Sequence, residues 1–302
     1  METVVVTGAT GFIGKEIVRQ LLVQGHSVRA LARNPTTSTH PNLTFFTCDV
    51  TRQETIKDEM IRGSTVIMHL VGIIAETKKQ GFQQAHIDAT VNMIEAGKRN
   101  SVLKFVHMSA LGTRVNARSL YHKTKWAAEE AVRGSDLNWT ILRPSIVFGP
   151  GDPFTSMFVK MMQFPLYQLQ LGCIPLPGGG ENLLQPIAVK DVASCFITAA
   201  TNPLAVCKHY DLAGPEKLSL KETVKVIARA KKKSPLLIHA PLALVRLGAT
   251  VFEWVLPKPP VTRDQLLMLE EDNISSDYTQ AEKDLCPHTF LGFREGVTRF
   301  IH

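Results

Sequence analysis

"TVVVTGATGFIG", residues 3–14, sets three glycines, Gly8, Gly11 and Gly14, between a continuous apolar run and a segment with helical periodicity. Val4 to Val6 read as a strand buried on both faces, and the following residues carry Ile13, Ile17, Leu21 and Leu22 at helical spacing until Gly25 closes the helix. At such a junction the free N–H groups of the helix N-terminus receive a dinucleotide pyrophosphate. Gly8 permits the tight turn, Gly11 lets the backbone approach phosphate, and Gly14 lets helix and strand lie close. The loop, with Thr10, Phe12 and Ile13, is therefore the expected cofactor cradle.

Working outward, strands and helices alternate. "HSVRALAR", "LTFFTCD", "TVIMHLVG", "LKFVHMS" and "NWTILRP" read as strands, with helices expected near "RQETIKDEMIRG", from about Phe82 to Lys98, and around "SLYHKTKWAAEE". Short links between alternating elements imply an α/β fold: a doubly wound parallel (Rossmann) sheet covered on both faces. After Arg143 and Pro144 the rhythm weakens into "FGPGDPF", "IPLPGGGEN" and "LPKPPVTRD". "QPIAVKDVASCFITAATN", with Asp191 as the expected N-cap, reads as a helix returning to the sheet. The expected division is residues 1–150 and 186–213 for the dinucleotide-binding domain, and 151–185 and 214–302 for a smaller, discontinuous α/β lobe that meets substrate or partner.

Composition narrows the function classes. Thirty-four Lys and Arg against 27 Asp and Glu leave +7, enough to favour phosphate-bearing ligands but too dispersed to indicate nucleic acid. Five scattered cysteines without a C-x-x-C pair point to neither a disulfide framework nor a metal site, and suit a reducing, cytoplasmic setting. The first strand begins almost at Met1, so no leader is expected. "APLALVRLGATVFEWVL" is interrupted by Arg246 and Glu253, so it is not expected to span a bilayer. With the basic run Lys231–Lys233 it offers two readings: an apolar helix packed in the second lobe, which is favoured, or a peripheral contact with an anionic membrane or a respiratory complex. Met157, Phe158, Met161 and Met162 likewise read as packing.

The second strand ends at Ala32 and Arg33. A carboxylate there would accept from a ribose 2′-OH, whereas a guanidinium can clamp a 2′-phosphate, so Arg33 favours NADP(H) over NAD(H). Tyr121 and Lys125, at i and i+4, share one helix face, and an ammonium near the phenol is expected to lower its pKa toward working pH. Ser109 ends a strand at the edge where doubly wound sheets bind ligands, and its hydroxyl is placed to orient a carbonyl. Ser109, Tyr121 and Lys125 form the candidate catalytic set.

Together, "TGATGFIG", "CDV", "HLVG", "SLYHKTK" and "LRPSIVFGPGD" resemble the extended and atypical short-chain dehydrogenases/reductases. "VIMHLVGIIAE" and "PPVTRDQLLMLEEDNI" look most like bacterial relatives of the NAD(P)H-binding accessory subunit of respiratory complex I. The resemblance implies that Asp49 and Val50 meet the adenine, that Leu70, Val71 and Gly72 pass the adenosine ribose, and that Pro144 and Ile146 line the nicotinamide. It implies further that Lys125 bonds the nicotinamide ribose. Many relatives place an asparagine of a water relay where this chain has His86 in "HIDATVN", which alters the relay. The implied activity is hydride transfer to or from a carbonyl, alcohol or quinone-like small molecule. Two alternatives stand beside it: a non-catalytic NADP(H)-holding assembly protein, and, from the shared "FGPGD", a nucleotide-sugar epimerase.

Overall fold

A computed structural model describes residues 2–163, 172–256 and 261–301; the Pro-rich link 257–260 of "LPKPPVTRD" lies outside them. The chain divides into two compact units. Unit 1 comprises residues 1–144, 189–212 and 277–289. Residues 277–289, which composition assigns to the second lobe, thus belong with the sheet; Tyr278–Leu285 forms a helix that packs on strand Lys208–Leu212.

The elements of unit 1 run β1 (Thr3–Thr7), α1 (Phe12–Val23), β2 (Ser27–Ala32), β3 (Leu43–Thr47), β4 (Val66–His69), α2 (Ala89–Arg99), β5 (Lys104–Met108), α3 (Leu120–Arg133), β6 (Asn138–Pro144), α4 (Val189–Thr201), β7 (Lys208–Leu212) and α5 (Tyr278–Leu285). The seven strands form one parallel sheet in the order β7-β6-β5-β4-β1-β2-β3. The order turns back at β1, where β4 lies on one side and β2 on the other, and ligands of doubly wound sheets bind at such a reversal. Val5, Ile67, Phe105 and Ile141 meet Met93, Ile94 and Val132 in one core, while α1 and α4 run side by side.

Two expected helices differ. "RQETIKDEMIRG" forms only two short 3-10 turns, Gln53–Thr55 and Asp58–Met60. The Thr55 hydroxyl bonds the Asp49 and Arg52 carbonyls, and the segment is pinned by burying Ile56, Met60 and Ile61. The helix expected from Phe82 begins instead as a π-helical turn, Gln83–Asp88, that runs into α2. Wide turns of this kind occur often at functional sites.

Unit 2 comprises residues 145–188, 213–276 and 290–302. Its core joins Phe148, Leu176, Val224, Ile227 and Phe293. Asp152 of "FGPGD" is buried and accepts from the N–H groups of Gly149 and Thr155 at the start of helix Pro153–Gln163, so that motif has a local, structural use. Phe158 and Met162 are core and Met157 is exposed. Helix Leu242–Val255 departs from the packed reading: Leu244, Leu247, Phe252 and Trp254 are all exposed. Among the described residues no helix is long and apolar enough to cross a membrane.

Candidate functional site

The glycine cradle is built as tightly as its spacing requires. Gly8 has a φ of +70° and lies against Leu70, which follows β4. A Cβ on Gly14 would lie 2.2 Å from the Gly8 carbonyl oxygen and one on Gly11 3.1 Å from it, so any side chain at Gly14 would drive α1 from the turn. Gly11 is the N-cap of α1 and contributes no side-chain hydrogen bond, and the first turn holds no acidic residue. Thr10 and Gly11 are exposed while Phe12 and Ile13 are half-buried. This leaves an anion-seeking helix end open above the sheet edge and fits a dinucleotide phosphate.

Residues beside the cradle are held by local bonds. Arg33 is exposed and donates to Gln80 Oε1 at 3.0 Å. Asp49 Oδ1 accepts from the N–H and hydroxyl of Thr51, a turn of its own making, and the Val50 carbonyl accepts from Asn92. Leu70 donates its N–H to Thr7 Oγ1. Val71 packs at the edge of the core, and Pro144 ends β6 with its carbonyl bonded by the N–H of Leu111. Ile146 belongs to unit 2, where its carbonyl accepts from Ile187.

Helix α3 carries Tyr121, Lys125, Glu129 and Arg133 at successive i,i+4 positions, one stripe along one face. An Ser119 N-cap starts the helix by accepting from the N–H of His122. Lys125 is only 2 % exposed, donates to the Met108 carbonyl at 2.9 Å, and sits so near Gly72 that a Cβ there would be 2.9 Å from its Nζ. Burial brings its pKa down to about 8 against the pull of Glu129.

The expected lowering of the Tyr121 phenol does not occur: burial pushes it up to about 12. Desolvation of the phenolate is the cause, and the Lys125 ammonium donates instead to the Met108 carbonyl. Tyr121 is packed edge-on against Phe82, His86 and His122.

His86, on the π-helical turn, is buried, with Nδ1 2.9 Å from Thr124 Oγ1 and Nε2 bonded to the Ile73 backbone. Burial, aided by the charge of Lys125, lowers its pKa to about 2, so it stands neutral and does not titrate near pH 7. Ser109 is buried and bonds Thr113 Oγ1, which in turn meets His122 Nδ1 at 3.2 Å.

Two groups went unseen in the sequence. Glu129 is fully buried and receives Arg143 through two bonds of 2.8 and 2.6 Å and Arg133 through one of 2.5 Å. Burial raises its carboxyl and the two guanidiniums more than reverse that, so it stays charged. Thr7, His69 and His107 form a row across β1, β4 and β5 in register. Thr7 Oγ1 and His69 Nδ1 are 2.9 Å apart and the two imidazoles stack at 5.7 Å. Burial, with Lys125 adding to it, keeps both histidines neutral. The i,i+4 spacing of Glu129 behind Lys125 was the available signal for the first group; strand register, which no local pattern carries, decides the second.

A model of the NAD dependent epimerase/dehydratase family matches residues 4–213. The chain belongs to that family. Among its relatives is the mitochondrial NADH dehydrogenase [ubiquinone] 1 alpha subcomplex subunit 9 of Arabidopsis thaliana, 28% identical over 95% of this chain and 75% of that protein. The ceramide reductase of Caulobacter vibrioides is 28% identical over 83% of this chain and 78% of its own. A solved structure of MoeE5 in complex with UDP-glucuronic acid and NAD shares the fold, with a TM-score of 0.74 at 21% identity over 99% of this chain and 97% of that one. The epimerase/dehydratase membership supports a nicotinamide cofactor for this chain, and the cradle's geometry fits one.

Proposed function

We propose that the chain binds NADP(H) and catalyses hydride transfer to or from a carbonyl, alcohol or quinone-like substrate. The observation that carries this reading is the backbone cradle at Gly8, Gly11 and Gly14, where Gly8 and Gly14 have no room or backbone freedom for a side chain and the N-terminus of α1 is left open to phosphate. The bound nicotinamide would supply or accept the hydride. The chain's own residues would do the rest. Arg33 would exchange its neutral partner Gln80 for a 2′-phosphate, a stronger charge-assisted contact. Lys125 would hold the cofactor ribose, beside the space that Gly72 leaves. Tyr121, protonated at every working pH, would act as the acid that delivers a proton to the substrate oxygen. The ceramide reductase among the relatives is in keeping with reduction.

The test pairs binding with turnover. Wild-type protein should quench or enhance NADPH fluorescence on binding and oxidise NADPH with a member of a carbonyl and quinone panel. Arg33→Ala should weaken NADPH by roughly 10- to 100-fold and leave NADH unchanged, as expected for one lost charged hydrogen-bonding group. Tyr121→Phe should cut turnover by about 100-fold or more with cofactor binding intact. Unchanged turnover in that variant removes the acid role from Tyr121.

A second reading has its own support. The exposed Leu244, Leu247, Phe252 and Trp254 on helix Leu242–Val255 favour an NADP(H)-holding protein that docks on a membrane-associated respiratory complex, as the subunit names of the relatives suggest. Tight NADPH binding with no turnover on any panel member, and co-purification with such a complex that Trp254→Glu abolishes, would select it.

A further inference from the structure

Unit 1 also gathers three side chains that the proposed reaction does not use. Asp191 lies in the first turn of α4 and not at the expected N-cap. Cys286 and His288 lie two residues apart just after α5. Across 97 residues of chain, His288 Nε2 comes within 2.9 Å of Asp191 Oδ1, and it is 3.6 Å from Cys286 Sγ. Donor atoms of Asp191, Cys286 and His288 all fall within 4.8 Å of one another.

One imidazole nitrogen facing both a carboxylate and a sulfur is poorly served by a proton, which can be shared with only one of them at a time. A cation serves all three. In a tetrahedral zinc site, with bonds of about 2.0–2.3 Å, neighbouring donor atoms are about 3.3–3.8 Å apart, so the observed cluster is within a small rotamer adjustment of that geometry. Sulfur, imidazole and carboxylate together select a borderline to soft divalent ion over magnesium or calcium. Asp191 is buried whereas the His288 side chain is 51% exposed, which gives an ion a path in.

We propose that Asp191, Cys286 and His288 form a site for zinc or a similar thiophilic divalent cation, clamping the segment after α5 onto α4. Binding releases the thiol proton of Cys286 to solvent and needs no oxidant or reductant. Three protein ligands leave the fourth tetrahedral position to water, and none of the three takes part in the proposed hydride transfer.

The test uses the full chain, purified anaerobically and stripped with chelator, titrated with Co²⁺ and then with Zn²⁺. One equivalent of Co²⁺ should bind with thiolate-to-cobalt charge-transfer absorption and the visible bands of tetrahedral coordination; Zn²⁺ should displace it and raise the melting temperature. His288→Ala and Cys286→Ala change side chains at partly exposed positions, so folding is checked by circular dichroism. Each should weaken Co²⁺ by at least about 100-fold, since even outer-shell changes cost up to that much. No stoichiometric Co²⁺ binding, or binding unaffected by Cys286→Ala, would each overturn the proposal.

Discussion

Lys125 is an ammonium placed among neutral imidazoles, with His69, His86 and His107 all held uncharged partly by its presence. Its pKa of about 8 in the fold lies below the 10.5 of the unfolded chain. Between those values the unfolded chain binds more protons, so this group's contribution makes stability rise with pH across that window, by on the order of 3 kcal/mol in all. Below pH 8 the full cost of the buried charge is present. The difference in unfolding free energy between wild type and Lys125→Met should therefore shift in favour of wild type from about pH 8 to 10.5, as denaturant titrations at a series of pH values would record. Tyr121, at about 12, adds no limb to the pH profile of turnover in that range. The sequence placed the tyrosine and lysine on one face correctly, but the sign of the Tyr121 shift depends on how deeply the phenol is buried, which spacing does not encode.

At the scale of elements, α3 is held on β6 by charge. Glu129 accepts from Arg143 of β6 and from Arg133 of its own helix. Removing the carboxylate takes from the partly buried Arg143 its hydrogen-bonded counterion, so Glu129→Gln should cost about 3–5 kcal/mol, measured by urea unfolding. Pairing it with Arg143→Met should recover part of that loss, because the orphaned charge is gone. In isolation the stripe Tyr121, Lys125, Glu129 and Arg133 looks like the solvated side of an amphipathic helix. Arg143, 14 residues after Glu129 and on a strand, makes it an internal face. Similarly, the helix expected near "RQETIKDEMIRG" gave way to 3-10 turns because burying Ile56, Met60 and Ile61 outweighs weak helical propensity.

For the molecule as a whole, the returning segment 277–289 completes unit 1. Tyr210 of β7 donates to Asp284, Asn202 donates to the Asp284 carbonyl, and Leu285 is fully buried. Leu285→Ala should lower the stability of unit 1 by about 2–5 kcal/mol, read as faster hydrogen exchange at the amides of β6 and β7. Unchanged exchange there would separate the segment from the sheet. The doubly wound sheet and the glycine cradle were determined by sequence alone, because "TVVVTGATGFIG" and the strand-helix alternation after it are local patterns of backbone freedom and apolar periodicity. Only tertiary structure decided that Lys125 and Glu129 are internal, that His69 and His107 align, and that Asp191 meets Cys286 and His288. Each of these depends on burial or on strand and segment placement set by residues far away in the chain, and the free energy of a charge or a ligand set follows that placement.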